Sequence, residues 1–526
     1  MRPAYDYIIV GGGSAGCVLA YRLSAQPDLE VLLLEAGEPA QGLRHRIPAA
    51  FPKLFKGPSD WAFYTAPQEE LLGRSLYWPR GKALGGSSSI NAMIVIRGNP
   101  RDYDDWGMPG WSFAEVLPYF KRLETHPLGP SAYHGDRGPL HVEVRRYTNP
   151  LSYAFIEAGV QAGLKRNDDF NGTEQEGVGL FHVNQKNGAR YSAASAYLRP
   201  ALPRPNLDVQ TGARAHRILF EGRQAVGVAY AHHGQRWQVR ALRGVILACG
   251  AVQSPQLLML SGIGPAEALR KLGLEVRQDL PVGQNLWDHL ALPVIWHCKA
   301  PISLDKAETP GNLLRYLLAQ RGPLVSNVAE AGAFVRLQPG ALAPDLQFHF
   351  GPAFFSNHGF DREEGYFFTL GPTLIAPKSR GYITLTSPDP EAPPFIQPRY
   401  LREPGDMAVL RAGLELAQAI AAQPAFAPYR GPLHARLAGL HTQAEWEAYI
   451  RQYAQTLYHP AGTCSMGQVV DERLQVYGCE NLYVVDASAM PGVVRGNTHV
   501  PTLMLAEKAA DLLLGVQATS GTSSPA

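Results

Sequence analysis

Four residues near the N-terminus have the types and the spacing that bind a dinucleotide. Gly11, Gly13 and Gly16 form a Gly-x-Gly-x-x-Gly run, and Glu35 follows about 20 residues later. In this motif the first glycine permits a tight turn, the second lets the backbone approach a pyrophosphate, and the third allows a helix to pack closely on a strand. The terminal carboxylate accepts hydrogen bonds from a ribose. The pattern predicts a site for the adenosine half of a dinucleotide.

The elements that must position these residues are visible in the same segment. Residues 7–10 form a short β-branched run, a helix is predicted to begin near Ala15, and a second strand is predicted over 31–34. A chance glycine-rich turn is the competing interpretation. It is disfavoured because strand, helix, second strand and acid follow in the order that the motif requires. The predicted contacts therefore extend to Ser14, Ala15 and Ala36.

Composition narrows the class of partner. The chain has 48 Lys and Arg against 46 Asp and Glu, a net charge of +2, and no block of like charge, so we expect no nucleic-acid partner. The five cysteines are scattered, with no Cys-x-x-Cys pair, so neither a disulfide framework nor a metal site is predicted. They are interpreted as buried thiols in a reducing compartment. These observations favour a small-molecule partner.

The sequence also predicts where the protein works. The first predicted strand begins by Tyr5, which leaves no room for a charged and apolar leader, and no stretch reaches the ~18 apolar residues of a membrane span. We therefore expect a cytoplasmic protein without an integral membrane segment. Peripheral contact with the inner membrane stays open as an alternative.

The length of 526 residues exceeds the usual limit of one hydrophobic core and predicts two domains. Strands are predicted over 208–210, 217–220, 225–230, 244–251, 345–350, 381–386 and 481–486, and helices over about 407–423 and from Pro501 onward. The predicted fold is a discontinuous Rossmann-like α/β nucleotide domain (1–150, 191–300 and 451–517) with a second, α+β domain on an antiparallel sheet (151–190 and 301–450). The small and polar residues 518–526 predict a disordered tail.

Further motifs lie outside the fingerprint. They occupy residues 81–91 (GKALGGSSSIN), 250–264 (GAVQSPQLLMLSGIG), 458–467 (YHPAGTCSMG) and 484–502, which contains VVDAS and GNTHVPT. Through these motifs the chain resembles the glucose-methanol-choline (GMC) oxidoreductases along nearly its whole length, and most closely their choline-dehydrogenase-like bacterial members. The resemblance implies an FAD-binding domain, a substrate-binding domain and the oxidation of a primary alcohol to an aldehyde by hydride transfer to flavin N5.

The resemblance also implies an active-site pair, His459 and His499. Imidazole suits proton transfer because its unperturbed pKa lies near neutrality. His459 matches the family's active-site histidine, and His499 matches a second position that holds histidine or asparagine. One of the two is expected to take the hydroxyl proton while the other orients the substrate oxygen. The simpler alternatives are a core histidine at position 459 and a helix-capping residue at position 499.

Several cofactor contacts follow from the same resemblance. Small residues of the 81–91 motif should pack along the pyrophosphate and the isoalloxazine. The VVDAS segment should lie near the diphosphate and the ribityl chain, and the edge of a strand should contact adenine through its main chain. The first turn of the last helix should face the flavin pyrimidine edge, where its positive end stabilises the reduced ring. These predicted contacts are Gly85, Gly86, Ser87, Asn91, Ala92, Asp486, Ala487, Val209, Val500 and Pro501. Capping of a helix is an alternative role for Asp486.

One difference from part of the family is informative. Ile90 stands where some members carry a histidine that is covalently joined to FAD, and isoleucine has no nucleophile. We therefore expect noncovalent FAD. Tyr458, Trp61 and Phe350 are predicted to contact the substrate, and an apolar or aryl alcohol fits them as well as choline does. Oxygen and a quinone or other electron carrier both stay open as the electron acceptor.

Three alternative functions remain at the level of sequence. A hydroxynitrile-lyase-type enzyme could use the same scaffold with a flavin that is not reduced, and a noncatalytic flavin-binding protein could keep the fold without the chemistry. A nicotinamide enzyme is compatible with the N-terminal fingerprint alone. The remaining motifs argue against the nicotinamide enzyme.

Overall fold

The computed structural model describes residues 2–516, and the predicted tail at 518–526 lies outside the described residues. The α-helices are α1 Ser14–Leu23, α2 Leu43–Arg46, α3 Pro100–Asp104, α4 Phe113–Leu123, α5 Pro150–Gln161, α6 Arg199–Ala201, α7 Gly250–Leu260, α8 Ala266–Lys271, α9 Pro310–Ala319, α10 Pro404–Ala422, α11 Gln443–Tyr453 and α12 His499–Leu514. Two 3-10 helices, Pro48–Leu54 and Gly86–Ser89, also matter for the site. Between residues 2 and 516, no helix is long and apolar enough to cross a membrane.

The strands fall into two large sheets and several short hairpins. In chain order they are β1 Ala4–Val10, β2 Val31–Leu34, β3 Phe63–Tyr64, β4 Tyr77–Trp78, β5 Glu124–Thr125, β6 Leu140–His141, β7 Gly177–Leu180, β8 Gln185–Lys186, β9 Ala189–Arg190, β10 Leu207–Gln210, β11 Ala213–Glu221, β12 Gln224–His232, β13 Gln235–Leu247, β14 Leu290–Ala291, β15 Val294–Cys298, β16 Ala331–Val335, β17 Leu346–Gly351, β18 Phe367–Leu374, β19 Tyr382–Thr384, β20 Phe395–Gln397, β21 Arg430–Leu433, β22 Gln455–Thr456 and β23 Leu482–Val484.

The first sheet has seven strands and a parallel core. Its order is β10-β2-β1-β13-β12-β11, and β23 pairs with β13. The pairs β10–β2, β2–β1, β1–β13 and β13–β23 are parallel, whereas β13–β12 and β12–β11 are antiparallel. Because the parallel strands end at the same edge, the segments after β1, β2, β13 and β23 are brought together there.

The second sheet has eight strands, and all of its pairs are antiparallel. It includes β14 and β15, which lie before residue 300, and β22, which lies after residue 450. The predicted domain boundaries placed these segments with the nucleotide domain. They join the second sheet because β14 and β15 pair with β18, and β22 pairs with β14. The largest hydrophobic core contains residues of both sheets, including Ile8 and Phe348.

Most predicted elements lie close to observed ones, with one clear exception. The strand predicted over 244–251 ends at Leu247, and the helix α7 already begins at Gly250. The reason is the backbone of Gly250, whose φ of 82° lies in the left-handed region and turns the chain out of the sheet. Residues 248–251 therefore form the turn that leads into α7.

The fingerprint glycines are required by close backbone contacts. A Cβ atom at Gly16 would lie 1.9 Å from the carbonyl oxygen of Gly11, and Gly11 itself has a φ of 105°. A larger residue at position 16 would push α1 away from β1. Gly16 is therefore not a cavity residue. Its role is to let α1 pack closely against the turn after β1.

Candidate active site

A large cavity lies between the carboxyl edge of the first sheet and the second sheet. Its lining includes Gly13 and Glu35 of the fingerprint, His459 and His499 from the C-terminal motifs, and His349 of β17. The two sets of residues that the sequence singled out come from opposite ends of the chain. The fold brings them to one cavity.

The fingerprint region of the cavity is built to hold an anion beside a ribose. The helix α1 begins after Gly13, with no side-chain cap and no acidic residue in its first turn. Its free N–H groups favour a phosphate. The carboxylate of Glu35 accepts the N–H groups of Gly12 and Gly37, both at 2.8 Å, and burial raises the pKa of Glu35 to about 7. These bonds hold the side chain at the cavity wall, where a ribose hydroxyl can reach it.

The segment after residue 84 closes over the fingerprint. The N–H of Gly85 donates to the carbonyl of Gly12 at 2.7 Å. Gly86 has a φ of 52°, and a Cβ atom there would lie 2.8 Å from the Cα of Gly13. The following residues Ser87, Asn91 and Ala92 line the cavity. Small residues in this segment leave room for a flat ligand along the wall.

A buried cation lies behind that segment. The guanidinium of Arg190 donates to the carbonyl of Ser88 at 3.1 Å and to the side-chain oxygen of Asn91 at 2.9 Å. Arg190 is 8 % exposed and forms no ion pair with a carboxylate of residues 2–516. Burial lowers its pKa to about 9. The cavity wall near Asn91 is therefore electropositive.

His459 is held on three sides. Its backbone N–H donates to Asp288 at 2.8 Å, its Nδ1 lies 3.0 Å from Nδ1 of His289, and its Nε2 lies 3.3 Å from the amide nitrogen of Asn497. Burial, together with His289, His349 and Arg80, lowers the pKa of His459 well below its ordinary value. The imidazole is neutral near pH 7. Because the amide N–H of Asn497 points to Nε2, that nitrogen carries the lone pair.

Asp288 fixes the turn that presents His459. Its carboxylate accepts the hydroxyls of Thr456, at 2.5 Å, and Tyr400 in addition to the N–H of His459. Burial raises the pKa of Asp288 to about 6, and these hydrogen bonds oppose that rise. The residue before His459, Tyr458, has a φ of 72°. Left-handed backbone at a tyrosine is strained, and the surrounding hydrogen bonds maintain it.

His499 is the first residue of α12. Its Nδ1 lies 3.0 Å from the hydroxyl of Ser14, and burial lowers its pKa to about 4. Its Nε2 has no hydrogen-bond partner among the described residues. The helix has neither a side-chain cap at Thr498 nor an acidic residue in its first turn. The N-termini of α1 and α12 thus both supply uncompensated N–H dipoles to the cavity.

An aromatic wall faces the histidines. Phe51, Phe55, Phe355 and Tyr458 line the cavity, and their rings pack in a chain with centroid separations of 5.8 to 6.3 Å. The hydroxyl of Tyr458 lies 2.7 Å from Nδ1 of His358, so it points away into its own hydrogen bond. This wall presents ring surface rather than polar groups.

Several predicted contacts do not line the cavity. Phe350 is fully buried and stacks on Phe155 with ring centroids 4.7 Å apart, so it fills the core instead of contacting a substrate. Val209 lies in the edge strand β10 away from the cavity, and Ala215 of β11 lines it instead. The cavity lining begins after the turn that follows β10, with residues 213–215 of β11.

The remaining predicted residues differ in whether they line the cavity. Gly11, Ser14, Ala15, Ala36 and Ala487 line the cavity as expected, whereas Gly85, Val500 and Pro501 lie behind the residues that do. Trp61 lines the cavity between Lys82 and Arg214, whose cationic groups lie 4.7 and 5.1 Å from its ring. Asp486 also lines it, but its carboxylate accepts four hydrogen bonds from Gly250, Ser254 and Ser488 and caps the next short helix.

Sequence reasoning missed three neighbours of the histidines. Asn497 stands two residues before His499 in a motif already singled out, so its position was available as a signal. His289 and Asp288 belong to no motif recognised in the sequence. Their role depends on β14, which brings residues 288 and 289 beside 459. No group of three or more His, Cys, Asp or Glu residues within 2–516 could hold a metal ion.

The cavity fits a flavin dinucleotide. Three buried polar atoms in its wall have no partner in the described chain, namely Nε2 of His499, Oδ1 of Asn497 and Nε2 of His349. They are available to the polar edge of a flavin and to a substrate hydroxyl, while the fingerprint and the uncapped α1 suit the adenosine diphosphate half. The fold and the cavity together define a flavin-dependent oxidoreductase.

Comparison with known proteins gives the family. The models of the GMC oxidoreductase family match residues 5–291 and 377–506. The chain belongs to the GMC oxidoreductases, and it is an FAD-dependent enzyme that acts on CH–OH donors. An alcohol dehydrogenase (acceptor) of Pseudomonas putida is 45% identical over 97% of this chain and 96% of its own length. The mitochondrial choline dehydrogenase of Homo sapiens is 44% identical, over 98% and 90%.

Solved structures agree with this assignment. Pyridoxine 4-oxidase from Mesorbium loti superposes with a TM-score of 0.90 at 34% identity and covers 98% of this chain and 100% of its own. Formate oxidase superposes with a TM-score of 0.92 at 25% identity, over 98% and 99%. The two large sheets are thus the FAD-binding fold of this family.

Acid precipitation is expected to release all the FAD into the supernatant. Ile90 lines the cavity and is 2% exposed, and its side chain offers no nucleophile for a covalent bond to the flavin. The measurement is the visible spectrum of pellet and supernatant after precipitation of the purified holoenzyme. A pellet that stays yellow after washing would contradict the noncovalent assignment.

Proposed function

We propose that this enzyme oxidises a primary alcohol to an aldehyde, with His459 taking the hydroxyl proton at Nε2. The observation that carries the proposal is the environment of that nitrogen. It faces the amide N–H of Asn497 at 3.3 Å, in a neutral imidazole whose Nδ1 is held by His289. A substrate hydroxyl that takes the place of this amide N–H would meet a lone pair that is fixed in direction, as a general base requires.

The neighbouring residues orient the substrate. The free Nε2 of His499 and the free Oδ1 of Asn497 lie in the wall of the same cavity. Together they can bind the substrate hydroxyl and hold its α-carbon in one orientation while His459 removes the proton. His499 is anchored by Ser14, which leaves Nε2 as its functional nitrogen.

FAD, when bound, supplies the acceptor at N5 for the hydrogen that leaves the α-carbon as hydride. The protein prepares for the negative charge that this transfer produces. The uncapped N-terminus of α12 and the unpaired guanidinium of Arg190 both provide positive potential beside Asn91 and His499. Gly13, Glu35, Gly86 and the N-terminus of α1 would hold the dinucleotide.

The cavity favours an uncharged alcohol. Its acidic lining residues are Glu35 and Asp486, and both carboxylates are already bound by N–H and hydroxyl groups of the chain. Asp288, the carboxylate beside Tyr458, is not among the lining residues, and its oxygens already accept the N–H of His459 and the hydroxyls of Thr456 and Tyr400. Among the described residues, no free carboxylate therefore lines the cavity to balance the charge of a desolvated quaternary ammonium, which is costly to bury unpaired. We therefore propose an apolar or aryl alcohol over choline, the substrate named for the human relative; the Pseudomonas relative is named as an alcohol dehydrogenase.

The test is the visible spectrum of the holoenzyme, recorded without oxygen before and after each of a panel of alcohols is added. We expect aliphatic or aryl primary alcohols to bleach the flavin band and choline to leave it nearly unchanged. Bleaching by choline alone would overturn the substrate proposal. A band unmoved by every alcohol would favour lyase chemistry on the same scaffold.

The pH dependence of kcat/KM should be flat from about pH 6.5 to about 8. Burial lowers the pKa of both His459 and His499, so each is already neutral throughout that range. Lowering the pH removes activity only when a proton returns to His459, which happens below the ordinary imidazole pKa of 6.5. Steady-state rates across this range, with buffers of constant ionic strength, provide the measurement. A rise centred near pH 7 would contradict a neutral, buried base.

A further inference from the structure

Helix α9 exposes a row of leucines to solvent. Leu313, Leu314, Leu317 and Leu318 are 37%, 57%, 54% and 79% exposed. They are spaced so that they cover one side of the helix, because residues three and four apart are neighbours on its surface. Scattered single leucines on a surface need no explanation, but four on one ten-residue helix form a continuous apolar strip.

The helix is well formed and anchored through its opposite side. Pro310 stands at its first position, and the hydroxyl of Thr309 caps it by accepting the N–H of Asn312. Tyr316 is the buried residue of this helix, at 1% exposure, and its hydroxyl donates to the carbonyl of Arg46 at 3.1 Å. The leucines thus stay outside because the fold uses the other face for attachment, not because the helix is loose.

Basic side chains surround the leucine strip. Arg315 lies within α9 and Arg321 follows it, while Arg44 and Arg46 belong to α2, which contacts the helix through Tyr316. All four are exposed, and none forms an ion pair in the described part of the chain. Glu308, the exposed acid just before α9, is already paired with Lys53. An apolar strip with basic residues beside it is complementary to a surface that carries negative charge outside and apolar groups inside.

The strip lies on the outer side of the cavity wall. Ile47, Ala50 and Tyr316 pack in one hydrophobic cluster, and the 3-10 helix Pro48–Leu54 that carries Ala50 also carries Phe51. Phe51 lines the active-site cavity. The surface that presents the leucines is therefore one layer of side chains away from the aromatic wall.

We propose that α9 and α2 form a docking surface for an anionic lipid bilayer. Burying the leucines among lipid chains removes apolar area from water, and the arginines contact the negative headgroups. The enzyme then rests on the membrane with its cavity wall beside the lipid, where apolar alcohols and lipid-soluble electron carriers concentrate. This inference rests on the surfaces of α9 and α2 and does not depend on the proposed substrate or on the role of His459.

Co-sedimentation of the holoenzyme with vesicles tests the proposal. We expect binding to vesicles that contain phosphatidylglycerol, weaker binding to vesicles of phosphatidylcholine alone, and a further loss at high salt. The variant Leu314→Glu/Leu318→Glu should bind anionic vesicles about 100-fold more weakly, since each of the two leucines contributes on the order of one tenfold step. Its FAD content and its turnover with a water-soluble dye acceptor should match the wild type.

A matched control separates this surface from exposed leucines in general. Leu128 is 71% exposed and lies outside α9 and α2, so Leu128→Glu should leave vesicle binding unchanged. The variant Arg44→Gln/Arg46→Gln should lower binding to anionic vesicles but not the residual binding to neutral ones. Equal vesicle binding by wild type and the leucine variant, or no binding by either, would overturn the proposal. A concentration-dependent dimer of the wild type that the leucine variant abolishes would assign the strip to a second copy instead.

Discussion

Replacing His459 with alanine is expected to lower kcat by roughly 10²- to 10⁴-fold while the protein keeps its FAD. In the proposed mechanism the neutral imidazole of His459 is the base, and its Nε2 is the ring nitrogen that Asn497 faces. Its removal leaves Asp288 hydrogen-bonded to Thr456 and Tyr400, while His289 loses its contact at Nδ1. The loss should therefore appear in the chemical step and not in flavin content.

The measurement is single-turnover reduction of the flavin under anaerobic conditions, with the ratio of flavin to protein absorbance as the check on cofactor retention. His441 provides the matched control, because it is an exposed histidine at the start of α11, and His441→Ala should behave as the wild type. Turnover of His459→Ala within a few-fold of the wild type would remove His459 from the mechanism. A parallel His499→Ala variant should weaken substrate binding and the rate together, as expected for an orienting group.

Replacing Gly86 with alanine is expected to cost most of the bound FAD. The added Cβ atom would lie 2.8 Å from the Cα of Gly13, so the two backbone segments must move apart where the dinucleotide is held. The φ of 52° adds left-handed strain of roughly 1–2 kcal/mol for a residue with a side chain. We expect colourless or pale protein whose flavin content recovers only at high concentrations of added FAD.

The variant Gly222→Ala is the control that separates left-handed backbone strain from the close approach to Gly13. The φ of Gly222, 60°, is nearly the same, but a Cβ atom there meets no atom within 4 Å. Gly222→Ala should therefore show a similar loss of thermal stability and a normal flavin spectrum. If Gly86→Ala also purifies with a full complement of FAD, the close approach to Gly13 is not part of the cofactor site.

The parts of the site whose residues lie close together along the chain could be predicted from the sequence. The fingerprint glycines and Glu35 lie within one strand-helix-strand unit, so their spacing along the chain determines their spacing in space. The same holds for Val500 and Thr502, whose place in the first turn of α12 follows from Pro501. The noncovalent cofactor follows from the chemistry of a single side chain, Ile90.

Other parts depended on which elements pair. Phe350 is an aromatic residue of the kind that can contact a substrate. In the structure its ring points from β17 into the core and stacks on Phe155. In β17 Phe350 shares the apolar side with Leu346 and Phe348, and His349 on the other side lines the cavity, so the element packed against each side decides which one meets a ligand. Val209 lies outside the cavity lining, which begins at Ala213, and its predicted contact with adenine stays a prediction.

The sequence by itself determined the family and predicted the dinucleotide fold and the two active-site histidines, because each rests on short segments with strong local constraints. Only the tertiary structure decided what surrounds those histidines. Asp288 and His289 reach His459 because β14 pairs with β22, and Asn497 reaches it because α12 begins beside the same cavity. The direction of a proton-accepting nitrogen depends on contacts between distant segments, and such contacts exist only once both sheets share a core.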